Sequence, residues 1–130
     1  MAHRVLIVDD EPNIVMSLEY LMRRGDYEVR VAANGDEALC LVESFKPNIV
    51  LLDVMMPRRS GFEVCRRIRE NPGLGDVKIV MLTAKGRDSE RDRGMGLGAN
   101  AYVTKPFSTQ ELMTTVRGLL HAATPGGSTP

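Results

Sequence analysis

The chain has no tryptophan, two cysteines, two histidines and only six tyrosines and phenylalanines together, and its charges cancel. Cys40 and Cys65 are too few to staple a disulfide-rich domain, and both fall in segments of helical period, which fits a reducing compartment. Seventeen basic side chains against seventeen acidic ones speak against an acidic tail or a generic nucleic-acid binder. Apolar runs stop at four or five residues, which excludes a membrane-spanning helix. No secretory signal opens the sequence, so a cytoplasmic protein is expected. What is present is ordinary globular material. With 43% apolar residues over 130 positions, one core can bury enough surface to stand alone.

The zero net charge hides an asymmetry. Residues 1–57 carry five basic and ten acidic side chains, and residues 58–130 carry twelve and seven, so the halves stand at −5 and +5. Solvated helix faces would account for much of this, but acids also gather at particular chain positions.

Short apolar runs alternate with stretches of helical period. Residues 5–8 read as a strand buried on both faces. Ile14, Leu18, Leu21 and Met22 follow at helical spacing, with Pro12 suited to a first helical turn. Residues 28–32 read as a weaker strand nearer an edge. Asn34-Gly35 breaks the chain before a helix that carries Ala38, Leu41, Val42 and Phe45 and ends before Pro47. Residues 49–52 form the next buried strand. Ser60 with Glu63 spells a capping box before a helix lined by Phe62, Cys65 and Ile68.

A Pro/Gly loop at 71–76 leads into a strand at 78–83. Residues 89–97 read as a helix weakened by Gly94, Gly96 and Gly98, at up to about 1 kcal/mol each. A short strand at 101–104 and a second capping box, Ser108 with Glu111, precede the last helix. Residues 122–130 have the composition of a flexible tail or linker stump. Five strand–helix units with short loops predict parallel strands with helices on both faces, a doubly wound α/β domain over residues 1–121.

In such a sheet, ligands bind beyond the carboxyl ends of the strands. The first strand ends in Asp9-Asp10-Glu11, the third in Asp53, the fourth in Thr83 and the fifth in Thr104-Lys105-Pro106. A lone Asp at a strand end is more often a turn residue or a helix cap, and Asp10 could cap the helix begun near Pro12. Several such residues on separate strands point instead to one crevice. Clustered carboxylates raise one another's pKa and call for neutralisation. Oxygen ligands without His or Cys favour Mg²⁺ over zinc or copper. A cation opposite Lys105 would make the crevice attractive to a phosphoryl group, Thr83 can add a hydroxyl donor, and a carboxylate can be the nucleophile.

The stretches Val5-Leu-Ile-Val-Asp-Asp-Glu-Pro12, Ile49-Val-Leu-Leu-Asp-Val-Met-Met-Pro57 with Gly61-Phe62, Val80-Met-Leu-Thr-Ala84 and Gly98-Ala-Asn-Ala-Tyr-Val-Thr-Lys-Pro-Phe107 resemble the receiver domains of two-component response regulators. The resemblance spans residues 4 to about 120. It implies the flavodoxin-like strand order 2-1-3-4-5 and a cis bond between Lys105 and Pro106. It makes Asp53 the acceptor of a phosphoryl group from a sensor histidine kinase or phosphotransfer protein. It makes Asp9, Asp10, Asp53 and the Met55 backbone carbonyl the Mg²⁺ ligands, with Lys105 pairing the phosphate. Thr83 and Tyr102 become the switch that alters the surface of the helix at 89–97, the strand at 101–104 and the last helix, for an output effector domain or protein. On this reading the chain is no enzyme beyond its own phosphorylation and slow dephosphorylation.

Met55 and Lys85 each lie two residues beyond a site position and could overhang the pocket, and an apolar Met55 cannot orient a water, hence a slow loss of phosphate is expected. The commoner Gly-Ala-Asp-Asp-Tyr of the family appears here as Gly98-Ala-Asn-Ala-Tyr102. Two acids are thereby removed, and in the family's winged-helix transcription-factor branch an acid there helps an ion-pair network across a dimer, to which Glu111 and Arg117 could still contribute, so a phosphorylation-dependent homodimer is an open expectation. Arg58, Arg59, Arg66, Arg67 and Arg69 read as a solvated face, with partner recognition as the alternative. Neither direct nucleic-acid binding nor membrane association is expected. A haloacid-dehalogenase phosphatase would need an Asp where Met55 stands. Asp9-Asp10-Glu11 would repel the phosphate of a flavodoxin cofactor. A degenerate receiver that only docks partners is the alternative function.

Overall fold

The computed structural model describes residues 3–56, 59–84 and 88–121. Pro57, Arg58, Lys85 and the tail from residue 122 lie outside the described residues. The chain alternates strands and helices: β1 (Arg4–Val8), α1 (Pro12–Arg24), β2 (Glu28–Ala32), α2 (Gly35–Phe45), β3 (Ile49–Asp53), α3 (Gly61–Glu70), β4 (Lys78–Ala84), α4 (Asp88–Gly96), β5 (Ala101–Lys105) and α5 (Thr109–His121). A 3-10 turn at Pro72–Leu74 precedes β4. All five strands are parallel, in the order β2-β1-β3-β4-β5, so the weaker second strand is indeed an edge.

Side chains of a strand alternate between its faces, and the two cores follow that alternation. Val5, Ile7, Leu51, Leu82 and Val103 pack against Leu18 and Met22 of α1 and Leu112 and Val116 of α5. Leu6, Val8, Val50, Leu52 and Met81 pack against Ala38 and Val42 of α2 and Phe62, Cys65 and Ile68 of α3. Residues 5–8 are wholly buried, at roughly 1.5–3 kcal/mol for each large side chain.

Helix starts follow local hydrogen bonding. The Ser60 hydroxyl accepts the Glu63 N–H at 3.3 Å, and Ser108 accepts the Glu111 N–H at 3.0 Å. Asn34, which the sequence marks as a chain break, is the cap of α2: its side-chain oxygen accepts the Glu37 N–H, and Glu37 in turn accepts the Ala33 N–H, both at 2.9 Å. Helix α1 starts after Glu11 with no side-chain cap, so Asp10 is not spent as one.

The basic face expected around α3 is only partly solvated. Arg66 and Arg67 are exposed. Arg59 instead pairs with Asp36 of α2 and with Glu63. Arg69 crosses to the chain between α4 and β5, donating to the Gly98 carbonyl and to Asn100 Oδ1 at 2.8 Å each. The same Asn100 oxygen accepts the Ile79 N–H at 2.8 Å, so it joins α3, β4 and the start of β5.

The glycines near α4 have separate reasons. Gly98 has φ +108° with the Arg69 side chain lying across it, whereas a Cβ on Gly96 would meet nothing within 4 Å. Gly61 is the tightest position: a Cβ there would come within 2.2 Å of the Asp53 carbonyl oxygen. Gly61→Ala is therefore expected to destabilise the fold by about 1–3 kcal/mol. Gly96→Ala should be neutral or stabilising by up to about 1 kcal/mol. Urea denaturation of the two variants beside the parent chain checks both, and equal costs would refute the packing argument.

Candidate functional site

The carboxyl ends of four strands meet at one edge of the sheet, and the sheet register decides who meets there. Asp53 is paired with Leu82, one residue before Thr83; Thr83 is paired with Thr104 and Ala84 with Lys105. Asp9 and Asp10 follow β1, the other neighbour of β3. All the residues marked by the sequence, Asp9, Asp10, Asp53, Thr83 and Lys105, thus stand at this edge. Asp9, Asp53 and Thr83 are buried, Asp10 is exposed and Lys105 is half-buried.

The charges are held by short contacts. Lys105 Nζ lies 2.9 Å from Asp9 Oδ2 and 3.4 Å from Asp53 Oδ1. Backbone amides serve the same carboxylates, the Glu11 N–H donating to Asp9 Oδ1 at 2.9 Å and the Met55 N–H to Asp53 Oδ1 at 3.3 Å. These two donors had no signal in the sequence, because any residue supplies an amide. The bond between Lys105 and Pro106 is cis. Tyr102, in register with Met81, is half-buried against the cluster that includes Phe62 and Met81. Met55 is 63% exposed, so its side chain stands at the mouth of the site rather than in it.

One ammonium does not balance three carboxylates. Burial, then the charge of Asp9, push the Asp53 carboxyl up from its ordinary 3.8 to about 6, and Lys105 and the Met55 N–H only partly offset them. Burial pulls Lys105 down, but its bond to Asp9 and the charges of Asp53 and Asp9 outweigh this and raise it, so it stays protonated at neutral pH. Asp9, Asp10 and Asp53 can each place one oxygen within 4.8 Å of the others. With Lys105 included, the cluster carries a formal charge of about −2 once Asp53 ionises, and its donors are all hard oxygens. Both properties fit a small divalent cation.

The model of the response regulator receiver domain family matches residues 5–117. The chain belongs to this family. Members are phosphorylation-driven switches of two-component systems. Over 125 residues the chain is 42% identical to the phosphate regulon transcriptional regulatory protein PhoB of Rhizobium meliloti (strain 1021), covering 96% of this chain and 55% of that protein. The receiver therefore spans about half the length of that relative. A protein of Chloroflexus aurantiacus J-10-fl described as a response regulator superposes with a TM-score of 0.89 at 40% identity, over 92% of this chain and 98% of that one. The receiver domain of the sensor histidine kinase PA1611 of Pseudomonas aeruginosa PAO1 superposes with a TM-score of 0.84 at 28% identity, over 92% and 98% of the two chains. That structure has a magnesium ion coordinated in its active-site cleft.

The raised Asp53 pKa has a sign. The folded receiver holds the Asp53 proton more tightly than the unfolded chain, so this group's contribution to stability falls as pH rises from about 4 to about 6. Without divalent cations, Asp53→Asn should be more stable than the parent by about 1–2 kcal/mol at pH 7, the gain fading towards pH 4. Denaturation at the two pH values tests this. No gain at pH 7 would mean that Lys105 neutralises its two partners fully.

Proposed function

We propose that Asp53 accepts a phosphoryl group from the phosphohistidine of a sensor histidine kinase or phosphotransfer protein. The observation that carries this reading is the buried Asp53 carboxylate sharing Lys105 with Asp9 at the strand ends, where a phosphoryl oxygen would meet a fixed ammonium. At pH 7 a carboxyl with a pKa of about 6 is mostly ionised and can act as the nucleophile. Its oxygen forms a bond to phosphorus as the bond from phosphorus to the imidazole nitrogen breaks, and the imidazole takes up a proton. Asp9, Asp10, Asp53 and the Met55 carbonyl would hold Mg²⁺, which when bound supplies positive charge to the phosphoryl oxygens. Lys105 holds one of those oxygens from the opposite side. Thr83, one residue beyond the level of Asp53, offers a hydroxyl to another.

Switching follows if the loaded site favours a different arrangement of Thr83 and Tyr102. Tyr102 is half-buried beside Met81, and a turn of its ring would alter the surface of α4, β5 and α5. That surface would address an output effector domain or protein. Asn100 is used inside the chain by Arg69 and the Ile79 N–H, so a phosphorylation-dependent homodimer through this face would draw on Glu111 and Arg117 instead. Among the described residues no helix is long and apolar enough to cross a membrane. We place the protein in the cytoplasm, with neither nucleic acid nor membrane as a direct partner of this domain.

Intact mass after incubation with acetyl phosphate, with and without Mg²⁺, tests the assignment. A single Mg²⁺-dependent phosphoryl adduct is expected, and Asp53→Asn should abolish it. If neither acetyl phosphate nor a phosphorylated kinase domain gives an adduct, the receiver is a phosphorylation-independent docking module. The exposed Met55 cannot hold a water for attack on the aspartyl phosphate. Met55→Asn should therefore shorten the phosphate lifetime several-fold, as read by adduct decay, and an unchanged lifetime would refute that role.

A further inference from the structure

Helix α4 has almost no apolar material with which to keep its place. Its sequence, Asp88-Ser-Glu-Arg-Asp-Arg-Gly-Met-Gly96, contains one large apolar residue, Met95, and that side chain is 44% exposed. Two of its described contacts are a close approach of its backbone to β4 and the stacking of one side chain on α3. Gly94 lies against β4, where an added Cβ would meet Met81 Cγ at 3.1 Å. On the α3 side, the Arg93 guanidinium sits 4.3 Å from the centroid of the Phe62 ring, well inside the range of cation–π attraction.

Phe62 is itself fixed to the acceptor strand. It is buried, and it follows Gly61, whose N–H donates to the Val54 carbonyl at 2.9 Å and whose α-carbon has no room for a side chain beside the Asp53 carbonyl. One aromatic ring therefore touches the acceptor loop through its backbone and α4 through its face. Cavities of about 450 and 440 Å³ flank the stack, one bordered by Met55 and Ser89, the other by Arg66 and Leu97. They leave α4 room to shift once the stack opens. The stack coexists with an Asp53 carboxylate engaged by Lys105 and the Met55 N–H.

We propose that Arg93 is a positioning residue that opposes phosphorylation: its stack on Phe62 belongs to the resting arrangement of α4 and opens when Asp53 is loaded. The proposal rests on Asp53 being the acceptor. Arg93 need not touch the phosphoryl group. By linkage, a contact that stabilises only the resting arrangement lowers the affinity for a phosphoryl group by the same factor.

Beryllofluoride, an inert phosphoryl mimic, can be titrated with Mg²⁺ into the full chain and its Arg93→Ala, Arg93→Lys, Phe62→Leu and doubly substituted forms. Amide hydrogen exchange over residues 88–97 is read in parallel. Arg93→Ala should bind beryllofluoride about two- to fivefold tighter, the scale of an exposed cation–π pair. Arg93→Lys should recover part of the parent behaviour. Adding Phe62→Leu to Arg93→Ala should change little more, because both remove one contact. Exchange in α4 should already be faster in Arg93→Ala before beryllofluoride is added. Equal or weaker binding by Arg93→Ala while the parent binds normally would overturn the proposal, as would unchanged exchange. Failure of the parent itself to bind beryllofluoride or to take an acetyl-phosphate adduct would instead remove the acceptor reading, and this proposal with it.

Discussion

Three carboxylates gathered around one ammonium at the end of a sheet form an arrangement that no local preference would assemble. Asp9 is wholly buried, and an unpaired carboxylate in that position would cost several kcal/mol. Lys105 meets that cost from the far side of the sheet, reaching across β3 and β4 from the last strand. The pairing demands that β1, β3, β4 and β5 run in the same direction and finish at the same edge. It leaves Asp53 under-neutralised, with a carboxyl pushed up to about 6, and that residual repulsion makes the site receptive to further positive charge. The fold and the candidate chemistry thus depend on one electrostatic compromise.

Backbone contacts fix the turn that follows β3. Gly61 lets α3 begin directly against the Asp53 carbonyl, and the Gly61 and Met55 amides close the turn between them. Helix α3 consequently starts beside Asp53, and near its end Arg69 grips Gly98 and Asn100 beyond α4. The C-terminal part of α4 is thus close to α3: Arg93, in its last turn, lies over Phe62, and Arg69 holds the chain that follows. A polar helix with a single, partly exposed large apolar residue buries little surface that would resist its movement.

Here the chain's own departure, Asn100 in place of a commoner acid, has an internal explanation: its side-chain oxygen stitches α3 to the β4–β5 edge. An arginine face read from composition divides in the same manner, with Arg66 and Arg67 facing water while Arg59 and Arg69 are structural.

Much of the molecule was legible as sequence because periodicity and strand-end chemistry are local. The strands and helices lie where the sequence pattern puts them, with boundaries shifting by a residue or a few, although α4 has almost no apolar periodicity. The site residues could be named because a parallel sheet places strand ends at a common edge. Other features were invisible because they either use backbone groups that any residue supplies or join groups well separated in the chain. The Glu11 and Met55 amides, the steric demand on Gly61, the role of Arg69 with Asn100, and the stack of Arg93 on Phe62 carry no signature in composition or spacing. By itself, the sequence determined the alternating elements, the two apolar faces of each buried strand and the set of charged residues at the strand ends. Only the tertiary structure decided which atoms share the Lys105 proton donors, how far Asp53 stays unneutralised and what holds α4, because distance and burial fix those energies and the order of residues does not.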